Sequence, residues 1–309
     1  MYDSPPIQRR DGRPVIGLAL GSGAARGWSH IGAIRALARR GVRADVVCGC
    51  SIGALVGAAL VSDKLDALAE WVESLDWQDV LTMLDISFKG GLIRGDRVVQ
   101  HCAQHFFERD FTELTTPFAC VATELSSGRE VWLREGALAD AVQASIALPG
   151  LFSPVLRHGR VLVDGGLVNP VPVSLCRALG AEIVIAVELG SGMIGHERRR
   201  EHKPALVGED HWAYKLLNTI GFNAAGDAEH GGAARVPSLA DVIASSINIM
   251  QMRIARSRLA GEPADILISP RVAHLNMMDF DRATEAIAEG EAAVERIHAV
   301  LDNVLERPQ

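Results

Sequence analysis

The sequence predicts an α/β protein built on a central, mostly parallel sheet, and three observations carry that prediction. Val15-Ile16-Gly17-Leu18-Ala19-Leu20 is an apolar run with too little alternation for a half-exposed strand, as expected of a strand buried on both faces. Gly21-Ser22-Gly23-Ala24-Ala25-Arg26-Gly27 follows at once, and then a helical stretch from about Trp28 to Arg40 that Gly41 ends. A second apolar strand, Val42 to Cys48, leads into Gly49-Cys50-Ser51-Ile52-Gly53 and a long apolar helix reaching Val61. A β–loop–α–β–turn–α series of this kind is a right-handed parallel unit. Its two loops then lie side by side at the carboxyl ends of neighbouring strands, where α/β folds place their sites.

The rest of the chain continues the pattern. Asp63 is placed to cap a helix whose Leu65, Leu68, Val72 and Leu75 make one apolar face. Signals are mixed from Trp77 to Arg94, with Gly90-Gly91 marking a surface loop, and Asp96 to Phe107 reads as a helix. Phe118 to Glu124 reads as a strand, Ser126-Ser127-Gly128 as a turn and Glu130 to Leu133 as its hairpin partner. A helix from Leu138 to Ile146 stops at Pro149-Gly150, a short strand from Arg160 to Val163 ends in Asp164-Gly165-Gly166, and Ile183 to Val187 is another buried strand.

Gly190 to Pro237 is rich in Gly, His, Glu and Arg with one helical patch from Trp212 to Ile220, and a loop of this length points to a functional or mobile segment such as a lid. Ser238 to Leu259 is strongly helical, with Leu239, Val242, Ile243, Ile247, Met250 and Ile254 on one side. Ile266 to Ile268 is a last strand, and Asp281 to Leu305 a long closing helix. No linker divides the chain. The expected organisation is a flexible segment over 1–14, a core over 15–177, and a C-terminal part over 178–309 that completes the same fold.

Bulk properties exclude several functions. The 309 residues can bury one large core or two modest ones. A formal charge of −7 and 5% aromatic residues give neither an electrostatic pull toward nucleic acid nor a base-stacking surface. Cys48, Cys50, Cys102, Cys120 and Cys176 are odd in number and scattered, which suits reduced, buried thiols in a cytoplasmic protein. The Met1–Pro14 stretch carries Arg9, Arg10 and Arg13 without an apolar run, so no secretory signal is expected. The longest apolar runs, near ten residues, are too short to span a bilayer, and any membrane contact is expected to be peripheral.

The chemistry centres on Ser51. Flanking glycines let the chain fold sharply so that the serine Oγ projects from the end of a strand, while the first turn of the following helix offers free N–H groups to a developing negative charge. An ordinary strand-to-helix turn fits the same five residues. The glycine-rich loop has two functional readings. As a dinucleotide fingerprint its spacing is wrong, Gly21-x-Gly23-x-x-x-Gly27, and the place of a ribose-binding carboxylate is taken by Cys48 to Ser51, with Asp45 at the strand's beginning. As an oxyanion hole, small residues aim the N–H groups of Gly23 and Ala24 at one spot, donors worth about 3–4 kcal/mol each in a transition state.

The base is harder to place. A Ser–Asp–His triad finds no compelling histidine: His274 stands in the right chain order without a catalytic loop around it. His101 and His105 have the i, i+4 spacing of metal ligands without the glutamate of a zinc-protease motif. His30, just inside the first helix, is placed to hold the glycine loop. Asp164, ending a strand at the same edge of the sheet as Ser51, with Gly165-Gly166 leaving room for approach, is the better candidate. An ordinary aspartate pKa near 3.9 makes a poor base for a hydroxyl, so partial desolvation is required.

These three pieces in this order resemble the patatin-like phospholipase family. That family combines a glycine-rich oxyanion loop after the first strand, a G-x-S-x-G turn after the second, and Asp-Gly-Gly or Asp-Gly-Ala downstream. The resemblance runs from about Val15 to Cys176 and includes Leu125–Leu133, Ser145-Ile146-Ala147-Leu148-Pro149 with Phe152 and Pro154, and Asp164–Pro172. The region from the Ser238–Leu259 helix onward is similar to stand-alone bacterial members. The resemblance implies a three-layer α/β/α fold and a serine lipid acyl hydrolase in which Ser51 is the nucleophile and Asp164 the general base. It implies Gly21–Gly27 as the oxyanion loop, the Ile52 amide as a further donor, and no cofactor or metal. Its substrate would be a lipid or acyl ester. Ser22 and Ala24 replace two glycines of the family's loop, which leaves backbone donors in place but narrows the hole. Arg26 either braces the loop or contacts a phosphate, and Met250 and Met252 are candidate acyl-chain contacts. A regulatory or scaffold protein of low activity on the same fold is the alternative.

Overall fold

The computed structural model describes residues 13–83, 96–149, 152–190 and 239–305. Strand β1 (Ile16–Leu20) runs into the glycine-rich loop, a single helical turn over Ala24–Trp28, and helix α1 (Ser29–Arg39). Strand β2 (Val46–Cys50) ends at Ser51 and α2 (Ile52–Val61) begins. Helices α3 (Leu65–Ser74), α4 (Trp77–Met83) and α5 (Asp96–His105) precede strands β3 (Phe118–Glu124) and β4 (Glu130–Leu133). Then come α6 (Leu138–Ser145), β5 (Val155–Arg157), β6 (Arg160–Asp164), a helical turn over Gly165–Leu167, α7 (Val173–Ala178) and β7 (Ile183–Val187). The chain closes with α8 (Leu239–Gly261), β8 (Ile266–Ile268), α9 (Ala283–Glu295) and α10 (His298–Leu305).

The eight strands among the described residues join one sheet. Followed through hydrogen-bonded neighbours, the order is β5-β6-β3-β2-β1-β7-β8, with β4 also paired to β3. Pairs β1–β2, β1–β7, β2–β3 and β7–β8 are parallel, and the pairs involving β4, β5 and β6 are antiparallel. The alternation along β1 shows the layers. Ile16, Leu18 and Leu20 point into one core with α1, α2, α6 and α9, while Val15 and Ala19 point into a second with α7 and Ala255 of α8. A sheet covered by helices on both faces is the expected three-layer α/β/α fold.

Several boundaries differ from the sequence reading. The second strand is Val46–Cys50, because Gly49 pairs with Leu20 and Cys50 with Val121; the glycine that read as a turn is still in the sheet. Asp63 does not cap α3, whose N-cap is Lys64; Asp63 sits at φ 56° instead. The closing helix is broken at Arg296–Ile297 into α9 and α10. Strand β5 and helix α7 went unread because three and six residues carry too little periodicity. Among the described side chains of α8 the buried ones are Ile247, Gln251 and Ala255, whereas Val242, Ile243 and Met250 are exposed, so the buried stripe is rotated from the expected one. The helical patch at 212–220 and, beyond Gly190, the possible lid expected over 190–237 lie outside the described residues.

Helix α9 lies directly on α1. A Cβ at Gly32 would overlap the Ile287 carbonyl, and one at Gly290 would overlap the Ser29 carbonyl, so the two backbones touch where each helix has no side chain. Helix α1 opens beside the glycine-rich loop, and this contact fixes its entry. Gly32→Ala and Gly290→Ala are each expected to push the helices apart and lower stability by about 1–3 kcal/mol, read as a drop in denaturant midpoint.

Candidate active site

Strand β3 acts as a ruler for the site. Cys120 is opposite both Gly49 of β2 and Leu133 of β4, and Thr123 is opposite both Val163 of β6 and Glu130 of β4. A residue has one partner on each side, so β4 takes one edge of β3 while β2 and β6 share the other. Parallel β2 stops at Cys50, opposite Val121, and antiparallel β6 stops at Asp164, opposite Ala122. The two strand ends therefore meet at adjacent residues of β3, and the Ser51 Oγ–H donates to Asp164 Oδ2 at 2.6 Å.

Ser51 turns the chain sharply, at φ 56° and ψ −123°, a backbone that side-chain-bearing residues seldom adopt. Its surroundings hold it there. The Ser51 N–H donates to Ser145 Oγ at 3.0 Å, and the buried Ser145 hydroxyl donates to the Val121 carbonyl at 2.6 Å. The Ser51 carbonyl accepts from Ala54 N–H at 2.8 Å, opening α2. Gly49 and Gly53 do not supply the turn's unusual φ. They supply room: a Cβ at Gly49 would overlap the backbone of Ala54, and one at Gly53 would overlap the Leu20 carbonyl. Gly27 likewise leaves space for Ile52, so the glycine-rich loop and the serine turn touch.

Asp164 is fully buried. Its Oδ1 accepts the Gly166 N–H at 2.7 Å, its own N–H donates to the Ala147 carbonyl at 2.9 Å, and its carbonyl accepts the Thr123 hydroxyl at 2.8 Å. Gly165 admits no Cβ because the Val121 carbonyl is there. Burial pushes the carboxyl pKa up to about 6 despite the opposing hydrogen bonds from Ser51 and Gly166. The same burial raises the neighbouring Cys50 thiol well above its ordinary value, so Cys50 is a neutral spectator.

The glycine-rich loop is tied down except where it faces the serine. Gly21 N–H donates to the Val187 carbonyl at 3.0 Å, Ser22 N–H to Pro170 at 2.8 Å and Ala25 N–H to Met277 at 3.1 Å. The N–H groups of Gly23, Ala24 and Ile52 have no acceptor among the described residues. Ala24 is held at φ 50°, and Ala24, Ser51 and Ile52 line one apolar cavity with Trp28, Leu55, Trp71, Phe152 and Phe280. His30 is buried and holds the Gly21 carbonyl through Nε2–H at 2.8 Å; burial lowers its pKa to about 4, so it stays neutral. Arg26 is buried too, its Nε–H donating to the Leu275 carbonyl at 3.1 Å, with Asp279 and Glu188 offsetting its charge. It braces the loop and does not line the cavity.

The remaining sequence candidates fall elsewhere. His274 pairs with Glu285 at 2.6 Å on the surface, and His101 stacks between Trp71 and His105. Among the described residues no cluster of His, Cys, Asp and Glu could hold a metal, and no helix is long and apolar enough to cross a membrane. Met250 is exposed and neither it nor Met252 lines the apolar cavity. Two contacts have no signal in sequence motifs: Ser145, a serine at the end of a helix, accepts the Ser51 N–H, and Gln251, a polar residue in the buried i, i+4, i+8 stripe with Ile247 and Ala255, accepts from the Ser22 hydroxyl.

Comparison with known proteins identifies the family. The family model described as Patatin-like phospholipase matches residues 18–177. An uncharacterised NTE family protein of Mycobacterium tuberculosis is 32% identical over 92% of this chain and 91% of its own length. Patatin-like phospholipase domain-containing protein 7 of Rattus norvegicus is 32% identical over 57% of this chain, which spans 14% of that longer protein. Among solved structures, VipD from Legionella pneumophila aligns over 96% of this chain and 81% of its own at 12% identity, with a TM-score of 0.45. With a family model matched over half its length and a relative aligned nearly end to end, the chain belongs to the patatin-like phospholipase family of lipid hydrolases.

Proposed function

We propose that the chain hydrolyses carboxylic esters of lipids through an acyl-enzyme, with Ser51 as nucleophile and Asp164 as its base. The observation that carries this reading is the 2.6 Å bond from Ser51 Oγ to a buried carboxylate whose pKa is raised to about 6. A base with that pKa is largely ionised at neutral pH, yet is stronger than a solvated aspartate. Its position beside the hydroxyl needs no histidine.

In the first half-reaction the Ser51 Oγ–H proton passes to Asp164 Oδ2 as Oγ bonds to the ester carbonyl carbon. The carbonyl oxygen becomes an oxyanion within reach of the uncommitted N–H groups of Gly23, Ala24 and Ile52. Collapse breaks the ester C–O bond, and the proton on Asp164 goes to the departing alcohol. Water then attacks the acyl-enzyme, giving up a proton to Asp164. The second collapse breaks the carbonyl–Oγ bond and returns that proton to Ser51, releasing a fatty acid. The apolar cavity at Ser51 suits the acyl chain. This reading takes residues 15–177 as the catalytic core and 178–309 as its completion, supported by the pairing of β7 onto β1 and of β8 onto β7.

A fluorophosphonate probe is expected to label the wild type and not Ser51→Ala; persistent labelling would end the proposal. Asp164→Asn should fold and lose turnover by about a hundredfold or more.

Acid is expected to abolish activity, with kcat/KM falling as pH drops through about 6 while Asp164 takes up a proton. Stability should run the other way. A carboxyl raised in the folded state binds its proton more tightly there than in the unfolded chain, so the fold loses stability as pH rises from about 4 through about 6. Asp164→Asn removes that loss, and its Tm at pH 8 should exceed that of the wild type.

Ser145→Ala leaves the Ser51 N–H and the Val121 carbonyl without their shared partner. It should cost about 1–3 kcal/mol of stability and lower kcat with little change in KM.

A further inference from the structure

Gln251 of α8 is 6% exposed, does not line the apolar cavity, and lies one turn from Ala255, which packs in the second core. Its Oε1 accepts a long hydrogen bond, 3.4 Å, from the Ser22 hydroxyl of the glycine-rich loop. Its Nε2 is buried with no partner among the described residues. The packing at Gly166 locates that amide nitrogen. A Cβ built on Gly166 would lie 2.5 Å from Gln251 Nε2 and 2.9 Å from Asp164 Oδ1, so the nitrogen and the carboxylate oxygen lie within a single water's reach. Gly166 is the residue whose missing side chain makes this approach possible. Buried side-chain donors are almost always satisfied, and a polar residue in the Ile247–Gln251–Ala255 stripe needs a reason to be there.

We propose that Gln251 is a positioning residue for Asp164: its carboxamide ties the Ser22 loop to the Asp164–Gly166 turn, and its Nε2–H, through one bridging water, supplies Oδ1 with a donor beside the Gly166 N–H. The proposal rests on Asp164 being the base. A donor on Oδ1 favours the ionised carboxylate and aims the other oxygen, Oδ2, at Ser51. The titratable groups that the neighbouring elements bring near this carboxyl do not offer that stabilisation. Cys50 of β2 and Cys120 of β3 are thiols kept neutral by burial. Glu130 of β4 is paired with Arg258 of α8 at 2.8 Å, and Arg26 of the loop faces Asp279 and Glu188. The balance on Asp164 is left to neutral donors. Gln251 also lies outside the 18–177 segment that the family model matches, so this arm of the site comes from the C-terminal part of the chain.

The test compares full-length wild type, Gln251→Met, Gln251→Glu and Asp164→Asn by kcat/KM against pH on a short-chain p-nitrophenyl ester, with Tm measured alongside. Methionine keeps the volume and removes the donor; glutamate replaces the donor by a negative charge. Loss of the donor should move the acid limb of Gln251→Met upward by roughly one pH unit, the size of one charge-assisted bond, with activity several-fold lower at pH 6 and near wild type at pH 9. Gln251→Glu should move it further in the same direction. KM should be unchanged in Gln251→Met.

If the Gln251→Met limb coincides with that of the wild type, the proposal is overturned, and a Tm change without a limb shift overturns it equally, since that is what a packing role predicts. If glutamate prevents folding, the methionine variant decides. Failure of the underlying reading looks different: Asp164→Asn would then keep both its turnover and the wild-type limb.

Discussion

The end-to-end meeting of β2 and β6 on one edge of β3 is the constraint on which the site depends. Strands paired to a common neighbour cannot slide independently, because a one-residue slip would turn every side chain to the opposite face. Val121 and Ala122, adjacent on β3, therefore fix Cys50 and Asp164 as neighbours, and the serine that follows Cys50 has little choice of position. The turn at Ser51 is strained, and the strain is held by a second tie to the same strand, through Ser145 to the Val121 carbonyl. The segment after α6 does the same for the other partner, since the Ala147 carbonyl receives the Asp164 N–H. One strand and one helix end thus hold Ser51 and Asp164 in register.

Burial then sets the electrostatics. A carboxyl held in the interior without a cation would be expected to stay protonated, and hydrogen bonds from Ser51 and Gly166 oppose that tendency. The result is a group poised between the two states near neutrality. The surrounding chemistry is kept quiet by the same means: the thiols of Cys50 and Cys120 and the imidazole of His30 are all driven to their neutral forms by desolvation. His30 serves the loop as a hydrogen-bond donor and takes no part as a base. Arg26, the most visible charge in the glycine-rich motif, is consumed in bracing it.

Glycines in this site act mostly by absence. Gly49, Gly53, Gly27 and Gly165 sit where another backbone or an Ile52 methyl occupies the space a Cβ would need. The unusual dihedrals belong instead to Ser51 and Ala24. The glycines next to the serine turn therefore have no room for change.

Much of this was legible in the sequence, because it is carried by short-range patterns. The buried parallel strands, the two loops at their carboxyl ends, and Ser51 and Asp164 as the candidate pair follow from apolar runs, glycine placement and motif order. Short or irregular elements such as β5, α7 and the break between α9 and α10 carry too few periods to be read. The contacts of Ser145 and Gln251 were beyond reach for a different reason. They join residues separated by tens to hundreds of positions, and nothing local distinguishes a serine that clamps a nucleophile from one that ends a helix. Local sequence determined which residues could react; the pairing of β2 and β6 on a shared edge decided that they meet, because register is a property of the whole sheet.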